Sequence, residues 1–219
     1  MQKQTITIIG ATGSMGSAIS KSLSKGNYRL LLCSNDQDKA QLLAQEIKML
    51  HPSAEVESLD CSLNASWEAD IIILAVPYSA ESEIASKIKE VANQKIVVSI
   101  ANPMNESFDD LVTRADTSAA EELQKLLPNS KIVKAFNTTF AADFTTPVID
   151  GKQVDAFVAG NNMEAVETVT ELVKTAGFRP IVAGKLAVSG TLERMQLLLI
   201  QLGIRNNYNW LAGWKILHQ

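Results

Sequence analysis

The stretch from Ile8 to Ile19, "IIGATGSMGSAI", decides the fold. It continues an apolar, β-branched run, Thr5–Ile9, and opens a pattern in which Met15, Ile19 and Leu23 recur every four residues until Gly26. Gly10, Gly13 and Gly16 fall where the strand period gives way to the helical one. In such a turn the first glycine reverses the chain, the second keeps side-chain bulk away from a ligand, and the third lets helix and strand pack closely. The amides of about Gly13 to Met15 then face out at the positive end of a helix, where a diphosphate binds. The fit to G-x-G-x-x-G is offset, with Ala11 in the first glycine's place and Gly10 one residue earlier. No Gly-Lys-Ser/Thr follows, which excludes a P-loop.

Working outward, further short apolar runs lie at Leu30–Cys33, Ile71–Val76, Ile96–Ile100, Lys131–Ala135, Ala156–Ala159 and Pro180–Ala183. Most are continuously apolar, as in parallel strands buried on both faces. Between them lie helical stripes: Leu42, Leu43, Ile47 and Leu50; Ile84, Ile88 and Val91; Val166, Val169, Leu172 and Val173. The alternation predicts an α/β, Rossmann-type doubly wound, mostly parallel sheet. Residues 1–185 are expected to form the NAD(P)-binding unit. Residues 186–219 form a C-terminal helical segment at the cleft or a dimer interface, with a helix from about Thr191 and a further helical stretch in "NYNWLAGWKILHQ". Phe140–Gln153 is expected to be a surface loop.

Of 219 residues, 46% are hydrophobic and 20% charged, a globular composition. The net charge of −4 argues against broad nucleic-acid binding. No apolar run is long enough to span a membrane, and no leader pattern precedes the first strand, so the expected setting is cytoplasmic. Cys33, Cys61, His51 and His218 lack metal-ligand spacing, so no metal site is expected.

The end of the second strand selects the nucleotide. An NAD site carries an acid there for the ribose hydroxyls. Here the chain reads "LLCSNDQDKA", with Cys33 in the acid's place. Ser34, Asn35 and Lys39 offer hydroxyl, amide and ammonium donors to a 2′-phosphate, while Asp36 and Asp38 suit a helix start. The balance favours NADP and leaves NAD open. The short-chain reductases need Tyr-x-x-x-Lys, but four residues after Tyr28, Tyr78 and Tyr208 stand Leu32, Ser82 and Ala212. No acid–base or nucleophilic pair is identifiable, so no catalytic residue is named. Hydride transfer between two cofactors tolerates that, because it needs two aligned rings more than a proton donor.

Later segments resemble the F420-dependent NADP reductases and the reductase domains of the STEAP metalloreductases. They are "AVPYSA", "KIVVSIANPMNES", "SAAEELQKLLPNSKIVKAFNT", "VAGNNMEA" and "GFRPIVAGKL". The resemblance spans about Ile6 to Leu217. It implies a cofactor path: Thr12, Gly13, Ser14 and Met15 at the diphosphate; Ser34, Asn35 and Lys39 at the adenosine 2′-phosphate; Val76 and Pro77 along the ribose; Asn102, Pro103, Met104 and Ala141 around the nicotinamide. It implies hydride exchange with the deazaflavin F420 or a flavin, and a homodimer. The family typically has arginine where Asn35 stands, so a bidentate phosphate clamp is missing. Two other readings stay open: a reductase for another acceptor, such as a quinone or a flavin-bound ferric species, and a non-catalytic NADP(H) sensor.

Overall fold

The computed structural model describes residues 3–218, so the outermost bounds of the two expected segments, residues 1 and 219, lie outside it. The strands are β1 (Gln4–Ile9), β2 (Tyr28–Cys33), β3 (Glu55–Leu59), β4 (Ile71–Leu74), β5 (Ile96–Ser99), β6 (Lys131–Lys134), β7 (Val148–Ile149), β8 (Lys152–Gln153), β9 (Asp155–Gly160) and β10 (Arg179–Gly184). The helices are α1 (Ser14–Leu23), α2 (Gln37–Leu50), α3 (Ser62–Glu68), α4 (Tyr78–Ile88), α5 (Ala119–Leu126), α6 (Met163–Thr175) and α7 (Ser189–Asn206).

Eight strands form one sheet in the order β10-β9-β6-β5-β4-β1-β2-β3. The run β3-β2-β1-β4-β5-β6 is parallel throughout and reverses direction of progress at β1, which is the Rossmann arrangement. β9 runs antiparallel to β6, and β10 lies parallel to β9.

The period of two in each strand sorts its side chains between two cores. Ile6, Ile8, Ile71, Ile73 and Val133 meet Ile19 and Leu23 of α1, Ile47 of α2 and Val169 of α6 on one face. Ile9, Leu31, Ile72, Leu74 and Ile132 meet Ala65 of α3, Ala85 and Ile88 of α4 and Leu123 of α5 on the other. Two buried faces explain the continuous apolar runs.

Four expectations need correction. β3 has no counterpart among the expected strands. It is an edge strand with Val56 buried between exposed Glu55 and Glu57, so its apolar content is thin. On α2 the buried face is Ala40, Leu43, Ala44 and Ile47, while Leu42 and Leu50 of the expected stripe are exposed. The 140–153 loop holds a 3-10 turn, Ala141–Phe144, and the hairpin β7–β8, turned by left-handed Asp150 and Gly151. The C-terminal helix is real but stops at Asn206, because Asn207, Asn209 and Trp210 all have positive φ. The helix expected in "NYNWLAGWKILHQ" is instead an irregular tail over residues 207–218, and Gln219 lies outside the described residues.

Asp155 anchors that tail. Its backbone N–H donates to Trp214 O at 2.9 Å, and its carboxylate accepts from Arg179 twice at 2.6 Å, from Lys215 at 3.0 Å and from Ile216 N–H at 2.7 Å. Burial works against the charge, but these donors outweigh it and hold the Asp155 carboxyl below its usual range. No helix among the described residues is long and apolar enough to cross a membrane.

Candidate active site at the carboxyl edge of the sheet

Loops leaving the carboxyl ends of β1, β2, β4, β5 and β6 share one edge, with the reversal at β1 in the middle. In open α/β sheets ligands bind at such a point. Strands are spaced at about 4.8 Å, so from β2 to β5 this edge measures about 14 Å, the reach of a dinucleotide.

The turn after β1 has the geometry its glycines imply. Gly10 has φ +85°, and a Cβ there would lie 2.3 Å from Ala75 O. A Cβ on Gly16 would lie 2.2 Å from Gly10 O, so this glycine sets the helix against the strand. Gly13 is different. It is exposed, it is the residue before α1, and a Cβ would meet only Gly10 O, at 3.4 Å. The space in front of it is open. The first N–H groups of α1 have no acceptor within the helix, no side chain caps them, and the first turn carries no acid. Contrary to expectation the Gly13 N–H turns back onto Gly10 O at 3.1 Å, so the cradle of free amides that fits a diphosphate begins at Ser14.

On one side of the cradle, Thr12 and Ser34 share a hydrogen bond of 2.6 Å that ties the β1 turn to the end of β2. Ser34 Oγ also accepts from Asp36 N–H at 3.1 Å. Asp36 caps α2 through Lys39 N–H and takes the Lys39 ammonium at 2.8 Å. The hydrogen bond from Lys39 holds the Asp36 carboxyl below its ordinary range. Asn35 and Lys39 are exposed. Cys33 is buried beneath them, and burial pushes its thiol up to about 11.

On the other side, Val76 is half-buried and Pro77 exposed at the start of α4. After β5, Asn102 Nδ2 donates to Asn137 O at 2.8 Å, and Asn137 Nδ2 donates to Asn102 Oδ1 at 2.9 Å. Met104 N–H closes the turn onto Asn102 O at 2.9 Å, and Pro103 O accepts from Val112 N–H at 2.7 Å. Met104 packs with Phe140, with Leu199 and Ile200 of α7 and with Trp214. The 3-10 turn that begins at Ala141 packs against α1. The expected residues thus fall in two groups along one edge, joined through the β1 turn.

Beneath the second group lies a set of ionisable side chains that the sequence pattern does not single out. Glu81, in the first turn of α4, is buried, and desolvation raises its carboxyl to about 7. Ser99 Oγ lies 3.5 Å from it. Tyr78 donates to Glu122 Oε2, and burial with that bond raises the phenol to about 12. Lys134 and Glu193 are fully buried and 2.6 Å apart. Asp143 accepts from Phe140 N–H at 2.7 Å, and burial raises this carboxyl to about 7 against the pull of the Phe140 and Ala212 backbone amides. Phe136, beside them, has φ +59°, a strained conformation for an aromatic residue. The one signal available in the sequence is a lysine inside the apolar run "IVKAF". Among the described residues no group of three or more His, Cys, Asp or Glu could hold a metal.

Comparison with known proteins identifies the family. The profile described as "NADP oxidoreductase coenzyme F420-dependent" matches residues 5–103. The F420-dependent NADP reductase of Methanocaldococcus jannaschii is 33% identical over 211 residues, covering 91% of this chain and 92% of that protein. The enzyme of the same name from Methanothermobacter marburgensis is 27% identical over 212 residues, covering 92% and 93%. A crystal structure from Arthrobacter sp. FB24, ascribed to an F420-dependent NADP reductase, superposes with a TM-score of 0.81 at 23% identity over 97% of this chain and 99% of that one, a likeness of fold. With the methanogen enzymes matched across nearly their whole length, this chain belongs to the F420-dependent NADP reductase family.

Proposed function

We propose that the protein is an NAD(P)H-dependent oxidoreductase that passes hydride between a nicotinamide cofactor and a deazaflavin (F420) or flavin-type acceptor. Family membership supports the reaction class. The observation that carries the cofactor reading is the uncapped, acid-free start of α1 at the sheet's point of reversal, with open space in front of Gly13. Thr12, Gly13, Ser14 and Met15 would hold the diphosphate. Ser34, Asn35 and Lys39 would face the adenosine end, and Val76, Pro77, Asn102, Pro103, Met104 and Ala141 the ribose and nicotinamide.

The reduced nicotinamide supplies the hydride when bound. The chain's task is then alignment and dryness: the Asn102–Asn137 pair fixes the turn, and Met104, Phe140, Leu199 and Ile200 exclude water beside it. Residues 1–185 would serve as the nucleotide-binding unit. Residues 186–219 would close the cleft and contribute to a homodimer, a reading supported by exposed Leu198, Trp210 and Ile216. Free Cys33 and Cys61 suit a reducing cytoplasm, and the net charge of −4 supports a small-molecule acceptor over nucleic acid as partner.

Trp210 stands edge-on to Phe140 with centroids 5.6 Å apart, next to Ala141, so it can report on the nicotinamide end. Titration with NADPH and NADH is expected to quench tryptophan fluorescence, NADPH at lower concentration. Stopped-flow loss of NADPH absorbance is expected with F420. Turnover with FMN or a quinone but not with F420 would reassign the acceptor. Binding without turnover of any acceptor would favour a sensor.

A further inference from the structure

Lys134 is an anomaly of its strand. Ile132, Val133, Ala135 and Phe136 around it are buried apolar residues, and the Lys134 side chain is itself fully buried. Its ammonium donates to Glu193 Oε1 at 2.6 Å and to Ala101 O at 2.5 Å. Glu193, on α7, is also fully buried, and its other oxygen accepts from Ala119 N–H, at the start of α5, at 3.2 Å. Burying such a pair gives little net stability, since apolar residues of similar volume commonly serve as well. An apolar pair lacks one thing that this pair provides: a donor for the Ala101 carbonyl.

That carbonyl matters by position. The β5–β6 ladder ends at Ser99 and Lys134, and Ala135 N–H takes Ser99 O at 3.3 Å. Ala101 O lies beyond the ladder, immediately before Asn102. The turn is therefore gripped at two points from the end of β6: by Lys134 at Ala101 O, and by Asn137 at the Asn102 side chain. Resting on the cofactor reading above, we propose that Lys134, braced by Glu193 of α7, is a positioning residue that fixes the Asn102–Met104 turn against which the nicotinamide end of the cofactor lies. The pair acts on one end of the ligand only, because the diphosphate cradle belongs to the β1 turn.

The test compares NADPH with 2′-phospho-ADP-ribose, which keeps the diphosphate and both riboses but lacks nicotinamide. In the double substitution K134M/E193L, which removes both charges together, the affinity for 2′-phospho-ADP-ribose is expected to change by less than about twofold. NADPH affinity is expected to fall about tenfold, as for the loss of one charge-assisted contact. Should the double variant fail to fold, Glu193→Gln, which keeps an oxygen for the ammonium, is expected to show the same split at about threefold. Equal loss of both ligands, or no loss of either, overturns the proposal. Wild-type protein that binds 2′-phospho-ADP-ribose but not NADPH also overturns it while sparing the diphosphate cradle. Wild-type protein that binds neither removes the cofactor reading and the positioning role with it.

Discussion

α1 and α2 follow adjacent parallel strands and begin on the same sheet edge, yet their first turns are built in opposite ways. α2 is closed upon itself: Asp36 caps it through Lys39 N–H, Asp38 adds a second acid, and the Lys39 ammonium is drawn onto Asp36. α1 has no cap, no acid and an exposed glycine in front of its free amides. α5 and α6 likewise cap themselves, with Ser118 and Asn162, whereas α3, α4 and α7 start without a side-chain cap as α1 does, so what sets α1 apart is its place at the sheet's point of reversal with open space before Gly13. The contrast teaches where an anion is expected, since one helix has answered its own dipole and its neighbour has left it for a ligand.

The largest effect is expected from closing the open helix. Gly13→Val places methyl groups in the space where only Gly10 O is near, so the fold survives while the diphosphate is displaced. NADPH affinity should fall at least about a hundredfold, roughly 2.7 kcal/mol, with an unchanged melting temperature. Titration calorimetry beside thermal melts checks both. Unchanged affinity would mean that the two helix starts do not differ in function.

A third helix start on this edge, that of α4, sharpens the comparison by carrying a buried acid. Desolvation outweighs the nearby Lys134 charge and raises Glu81 from 4.5 to about 7. A carboxyl with a folded pKa above its unfolded one gives stability that is full below the unfolded value and is lost as pH rises through the folded value. Between pH 5 and pH 9 the wild type should therefore lose about 2 kcal/mol more stability than Glu81→Gln, because each tenfold change in proton affinity is worth roughly 1.4 kcal/mol. Urea unfolding at both pH values measures this; parallel pH profiles would place the proton elsewhere.

The α1 start is legible in the sequence because glycines record backbone demands directly. Gly10 at φ +85° and Gly16 against Gly10 O are where the pattern places them. The central strands are legible because burial on both faces leaves unbroken apolar runs. β3 escapes because an edge strand needs few apolar residues, and the irregular tail because Asn207 and Asn209 break a helix only through the left-handed φ they adopt. The buried ionisable set is not legible either. Glu81, Lys134 and Glu193 come from three separate elements, and no spacing in one dimension joins them. Nor is it evident that Lys39 is drawn onto Asp36, since acids near a helix start read equally well as solvated dipole partners.

The adenosine end gives a smaller effect. Asn35 is exposed beside Ser34, where a guanidinium would reach a 2′-phosphate bidentately. Asn35→Arg should shift the ratio of NADPH to NADH affinity about tenfold towards NADPH, or about 1.4 kcal/mol. Competitive titration of the two cofactors reads the ratio directly. A ratio that does not move would put the adenosine away from α2.

The smallest effect tests the closed helix itself. Asp36→Ala removes the cap of α2 and should lower the melting temperature. It also releases the Lys39 ammonium from its 2.8 Å partner and takes one negative charge from the edge. Freed, Lys39 should favour the 2′-phosphate by about threefold, the modest value of an exposed charge pair. Stability and affinity then move in opposite directions from one substitution. That opposition distinguishes a lysine held in reserve by its own helix from one that only caps it: if Asp36→Ala lowers the melting temperature and leaves NADPH affinity where it was, the Lys39–Asp36 pair belongs to the helix alone and the 2′-phosphate is read by Ser34 and Asn35.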